Sequence, residues 1–145
     1  MKIYMDNCCF NRIFDDRSQP VIYFERNSIL LILRFVEMGL VELYGSQMLV
    51  KEINDAPDEI RRAGLKMVYS LCSEEIKITR AIAERAVEIR QLSNIRNKDS
   101  IHLACAELAR LDYLITVDKK FKNNANRINS KIKVISPIEL LEVIL

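Results

Sequence analysis

Four carboxylates spread along this 145-residue chain are its side chains best suited to chemistry: Asp6, Glu52, Asp99 and Asp118. Asp6 closes the short apolar run Lys2-Ile-Tyr-Met, and Asp118 closes the β-branched run Tyr113-Leu-Ile-Thr-Val117, so two strands are expected to finish in an acid. Asp99 falls in the first turn of a helical stretch carrying Ile101, Leu103, Ala104 and Leu108, where the helix dipole favours a negative charge. Ligands of open parallel sheets gather beyond the C-terminal strand ends, so Asp6 and Asp118 should open onto one crevice, with Asp99 and Glu52 able to join them. Acids brought together without a cationic partner raise one another's pKa, whereas a hard divalent cation needs oxygen ligands. Mg²⁺ or Mn²⁺ is the expected cofactor, and metal-assisted hydrolysis of a phosphodiester the expected reaction.

The elements that must position these acids can be read from hydrophobic periodicity. Apolar residues recur at helical spacing from about Val21 to Met38, ahead of Gly39, and Val41-Glu-Leu-Tyr44 reads as a second strand. Leu49, Val50, Glu52 and Ile53 then fall on a helix broken by Asp55 to Pro57. Further helices are expected over about 58–71 and 79–92, and Ser93 to Lys98 reads as loop. Ile132 to Ile135 supplies a last strand, and Ser136-Pro137-Ile138-Glu139 is a capping box with proline at the first helical position, opening a helix to about Ile144. Alternating strands and helices predict an α/β fold in one domain over 1–145: a central parallel sheet of four to five strands with helices on both faces.

Together these stretches resemble the PIN-domain ribonucleases, including VapC-type toxins, over essentially the whole chain. The first motif is Ile3-Tyr-Met-Asp6-Asn7, the second Leu49-Val-Lys-Glu52-Ile53, the third Lys98-Asp99-Ser-Ile-His-Leu-Ala104 and the fourth Leu114-Ile-Thr116-Val-Asp118-Lys-Lys-Phe121. The resemblance implies a metal-dependent endoribonuclease, the toxin of a toxin–antitoxin pair. It implies catalytic roles for Asp6, Glu52, Asp99 and Asp118, metal ligation by Asp6, Asp99 and Asp118, and supporting roles for Asn7 and Thr116. Many relatives carry Thr or Ser where Asn7 stands and a further acid where Lys119 and Lys120 stand, so one firmly held ion is expected, with a second arriving with substrate.

From Lys119 to Lys133 there is no acid, and Lys119, Lys120, Lys122 and Arg127 are read as contacts to RNA phosphates, with Arg12, Arg17 and Arg96 able to extend the track. His102, the single histidine, is expected to pack against backbone or a neighbouring carboxylate, and Cys8 and Cys9 to pack as well. Cys8, Cys9, Cys72 and Cys105 make no zinc-knuckle spacing and read as reduced thiols. With 50% hydrophobic and 29% charged residues the chain belongs to neither the disordered nor the fibrous classes, and its longest apolar run is far short of a membrane span. A net charge of +2 gives no general affinity for nucleic acid, so any RNA contact must come from local distribution. A cytoplasmic protein is expected, with RNA as substrate, an antitoxin or a second copy of the chain as partner, and no membrane. The competing expectation is a non-catalytic RNA- or partner-binding module that keeps the same fold.

Overall fold

Ile3, Tyr4 and Met5 are buried consecutively, with no alternation of faces, as in a strand covered on both sides. That strand, β1 (Lys2–Met5), is the centre of a five-stranded parallel sheet ordered β3-β2-β1-β4-β5 in a computed structural model describing residues 1–145. Its partners are β2 (Glu42–Ser46), β3 (Glu74–Ile76), β4 (Tyr113–Ile115) and β5 (Lys133–Ile135). In register, Tyr4 lies beside Tyr44 on one side and Leu114 on the other. The chain steps from β1 to β2 and β3 in one direction, then returns past β1 to β4 and β5. Right-handed crossovers running in opposite directions put their helices on opposite faces, and a crevice opens at the switch between β1 and β4.

Eight helices make the connections: α1 (Asn7–Arg12), α2 (Pro20–Glu37), α3 (Gln47–Asn54), α4 (Glu59–Tyr69), α5 (Arg80–Leu92), α6 (Asn97–Leu108), α7 (Lys119–Arg127) and α8 (Pro137–Ile144). The periodic helices fall where the pattern places them, and the Ser136–Glu139 capping box is formed in both directions. One hydrophobic cluster of 30 buried residues spans the sheet and the inner faces of the helices.

Three elements form where the sequence reading placed none. The segment at 74–76 forms the edge strand β3, although Glu74 and Glu75 make it look like loop; charges on an edge strand discourage pairing with other chains. Residues 7–12 form α1 because the Asp6 carboxylate caps it, Oδ1 accepting from the Cys9 amide at 3.3 Å. The basic, asparagine-rich run after residue 118 is α7, capped by Asp118 Oδ1 accepting from the Phe121 amide at 3.1 Å and anchored by buried Phe121 and Ala125, four apart on one face. The fourth strand also ends earlier than expected, at Ile115, so Asp118 stands beyond a two-residue link rather than on the strand itself.

Candidate active site

At the β1/β4 switch point lies a cleft of about 580 Å³ formed, apart from Cys8, by polar and charged residues. Asp6, Glu52, Asp99 and Asp118 all line it, together with Asn7, Cys8, Asn11, Arg96, Asn97, Lys98 and His102. The fold therefore gathers the four expected acids at one surface from the end of β1, from α3, from the first turn of α6 and from the cap of α7.

Asp6 is the most deeply set, 3% exposed. Pairing of β1 with β4 runs on past the strand end, the Asp6 amide donating to the Ile115 carbonyl at 3.2 Å, and this brings Thr116 alongside. The Thr116 hydroxyl donates to Asp6 Oδ2 at 2.6 Å and accepts from the Asp118 amide at 3.1 Å, so one buried side chain fixes both aspartates. On the other oxygen, the Cys8 thiol donates to Oδ1 at 2.9 Å. Burial, reinforced by the Cys8 thiol, pushes the Asp6 carboxyl well above the usual range against the opposing pull of Thr116. Burial thus disfavours the charged carboxylate, a penalty that a bound cation would offset.

Glu52 is reached through a buried chain of hydrogen bonds. Ser46 Oγ accepts from the Leu49 amide, capping α3, and meets the Tyr4 hydroxyl at 2.7 Å. Tyr4 in turn meets His102 Nδ1, and His102 Nε2 is bonded to Glu52 Oε1. The pattern closes when Ser46 donates to Tyr4, Tyr4 to Nδ1, and Nε2–H to the carboxylate, which leaves Glu52 Oε2 free toward the cleft. His102 is thus packed against a carboxylate, and it sets the direction of Glu52.

Asp99 and Asp118 are held differently. Arg96 Nη2 lies 3.1 Å from Asp118 Oδ2 and 3.4 Å from Asp99 Oδ2. The acids therefore do have a cationic partner, contrary to the sequence reading; Arg96 precedes α6 and points back into the cleft rather than along an RNA track. Burial still raises the Asp99 carboxyl above its ordinary value, with Arg96 opposing. Asn7 is steadied by Asn11, whose amide donates to Asn7 Oδ1 at 3.0 Å.

Of the basic residues assigned to RNA, Lys119 and Lys120 are both exposed; Lys120 sits in a smaller pocket that adjoins the cleft, whereas Lys119 lines a separate hollow with Phe24, Glu25 and Pro137. Lys122 is ion-paired to Glu139 on α8, and Arg127 stands at the far end of α7, roughly 12 Å along its axis from Lys119. Arg12 is bound to Asp15 and Glu25. Cys8, Asn11, Asn97 and Lys98 are cleft residues that the sequence reading did not assign to the site; recognising α1 would have put Asn7 and Asn11 on one face. All four cysteines are free thiols. Asp6, Cys8 and Cys9 form the one histidine, acid or thiol trio with ligand atoms within 4.8 Å of one another, so Asp6, Asp99 and Asp118 do not all approach one another that closely.

A PIN domain family model matches residues 3–127. Among solved structures, VapBC2 from Rickettsia felis bound to a DNA fragment from its promoter has a chain that superposes with a TM-score of 0.61 at 18% identity, covering 94% of this chain and 98% of that one. A toxin–antitoxin complex from Klebsiella pneumoniae gives a TM-score of 0.60 at 23% identity, with the same coverage of both chains. No curated protein matches. The chain belongs to the PIN-domain family.

Proposed function

We propose that this PIN-domain chain is a metal-dependent endoribonuclease that hydrolyses RNA phosphodiester bonds, and that it acts as the toxin of a toxin–antitoxin pair. The observation that carries the nuclease reading is the convergence of Asp6, Glu52, Asp99 and Asp118 on one polar cleft at the sheet's switch point. Likeness in fold to chains of two toxin–antitoxin assemblies supports the toxin reading.

The donor set fits Mg²⁺ or Mn²⁺. Hard cations of this size are held by one or two carboxylates while water and substrate phosphate complete the shell, which suits aspartates set across a roomy cleft. Two of them, Asp6 and Asp99, also have raised carboxyl pKa values that a cation would relieve. Asp6, Asp99 and Asp118 would hold the ion, which when bound supplies charge neutralisation at the phosphate and acidifies a water ligand.

The remaining work falls to the chain's own groups. Thr116 keeps Asp6 and Asp118 in fixed relation, so the ligand frame is set before substrate arrives. Glu52, aimed by His102, offers Oε2 to an incoming water and takes its proton as the oxygen–phosphorus bond forms. The bond to the departing ribose oxygen breaks, and that oxygen takes up a proton from solvent. Lys119 and Lys120, beside Asp118, hold neighbouring phosphates.

Purified protein with Mn²⁺ should cut single-stranded RNA. Asp6→Asn should lose about two to three orders of magnitude in rate, the scale of losing a charged group at the reacting centre, with an unchanged circular dichroism spectrum. A variant that cuts as fast as the parent removes Asp6 from the reaction. The ion pairs from Arg96 to Asp99 and Asp118 are the one observation favouring a non-catalytic binding module, since they neutralise the acids without a metal. Calorimetric titration with Mn²⁺ separates the two readings: no heat favours the binding module. The toxin assignment predicts that expression arrests growth and that Asp6→Asn relieves the arrest.

A further inference from the structure

Arg96 is placed unlike any other cation in the molecule. It meets each carboxylate at a single oxygen, Asp118 through Nη2 at 3.1 Å and Asp99 through Nε and Nη2 at a long 3.4 Å, rather than gripping either in the parallel two-bond geometry that makes arginine–carboxylate pairs strong. Its side chain is 77% exposed, and it makes no capping bond to the helix it precedes. Nothing packs it in place. On its outer side lies a second pocket of about 160 Å³, into which Asn94, Lys120 and Asn124 also face, and Asp99 and Asp118 form the wall between that pocket and the main cleft.

We propose that Arg96 is a built-in counter-ion that substitutes for the divalent cation at Asp99 and Asp118, and that once the cation binds it turns outward to hold an RNA phosphate in the adjoining pocket with Lys120. The inference rests on the nuclease reading above. Its logic is electrostatic. Without any cation the like charges of Asp99 and Asp118, which meet the same guanidinium and line the same two pockets, repel each other. An exposed guanidinium contact, long at Asp99 and bonded to one oxygen of each acid, relieves that repulsion but is easily given up to a divalent ion in the cleft. The outer pocket repels phosphate while its inner wall carries two negative charges. It becomes an anion site after those charges are neutralised and a planar guanidinium, suited to two-point contact with phosphate, is released to it.

Metal and RNA then bind with positive coupling, and linkage makes the effect reciprocal. Arg96 is a positioning residue in this scheme, competing with the metal in the free protein and serving the substrate in the loaded one.

The test uses the full chain, Arg96→Gln and Arg96→Lys, with Mn²⁺ alone followed by calorimetry. A fluorescent single-stranded RNA is then followed by anisotropy in Ca²⁺ at several salt concentrations. Arg96→Gln should bind Mn²⁺ about fivefold more tightly than the parent, the scale of one partly exposed ion pair removed. In Ca²⁺ it should bind RNA about tenfold more weakly, with a salt dependence shallower by about one unit of slope, as for a lost phosphate contact. Arg96→Lys, keeping the charge, should lie between the two on both measures. Unchanged or weaker Mn²⁺ binding by Arg96→Gln, or unchanged RNA binding in Ca²⁺, overturns the proposal while leaving the nuclease reading intact if the parent still binds Mn²⁺ and cuts RNA. A parent that binds no Mn²⁺ at all overturns both.

Discussion

The two walls of the cleft are built on opposite plans. On the β1 side, Asp6 and Glu52 are tied into buried hydrogen-bond networks through Thr116, Cys8 and the Ser46–Tyr4–His102 chain. On the α6–α7 side, Thr116 holds only the backbone of Asp118, and the Asp99 and Asp118 carboxylates are steadied by one solvent-exposed arginine and by the cap that Asp118 makes to α7. The first wall has its geometry fixed by folding. The second can change partners without disturbing the core. A site that must receive an ion and a flexible polymer in succession gains precision from the first plan and accommodation from the second.

That contrast can be broken by cutting each plan at its own linchpin. Thr116→Val removes the donor to buried Asp6 and the acceptor for the Asp118 amide while keeping the shape. It should weaken Mn²⁺ binding by about 10- to 100-fold, as losses behind a metal ligand do, read by calorimetry. The opposite sign is expected on the other wall, and a Thr116→Val variant with parental affinity would erase the distinction between them. Next in size, Tyr4→Phe deletes the hydroxyl joining Ser46 to His102 inside the core. Leaving those partners unsatisfied should cost about 1–3 kcal/mol in urea unfolding. Because Tyr4 acts on the cleft through His102 and Glu52, its effect on cleavage should appear mainly in the rate at saturating RNA, with little change in RNA affinity.

The gentlest probe is pH. A carboxyl whose pKa is raised on folding favours the folded state fully below its unfolded value, and that advantage is lost as pH rises through the raised value. Asp6 and Asp99 are such groups. Asn mimics the protonated acid at position 6, so the melting temperatures of metal-free parent and Asp6→Asn should be close under acidic conditions. The parent should fall progressively below the variant as pH rises past the ordinary carboxylate range, and Mn²⁺ should close the gap. A gap independent of pH would mean that Asp6 is not strained by its burial.

Much of this arrangement could be read in the chain before any coordinates. The strands at β1, β2, β4 and β5 and the long amphipathic helices announce themselves because their apolar periodicity is local, and the acids stand at their ends. What escaped notice depends on contacts distant in sequence or on caps that overrule composition. The α7 run carries three asparagines, which are weak helix formers, and is secured because Asp118 caps it and Phe121 and Ala125 find the core. Strand β3 gains its identity from pairing with β2, not from its own residues. Within the cleft, Glu52 was visible as an acid, but its support from Tyr4 and Ser46 joins positions 48 and 6 residues away from it. Arg96 read as part of a basic track because nothing nearby in sequence says which way a side chain turns.

Asp6 and Asp118 each do two jobs, opening a helix with one oxygen while presenting charge to the cleft. Asparagine can do the first and not the second; glutamate carries the charge on a stem too long for the usual cap, and alanine does neither. Mutational drift at these positions therefore has a preferred exit, through amide substitution, toward a well-formed but silent protein. Such descendants would keep whatever surfaces their ancestors used for companions, and could go on titrating those companions long after the chemistry had gone.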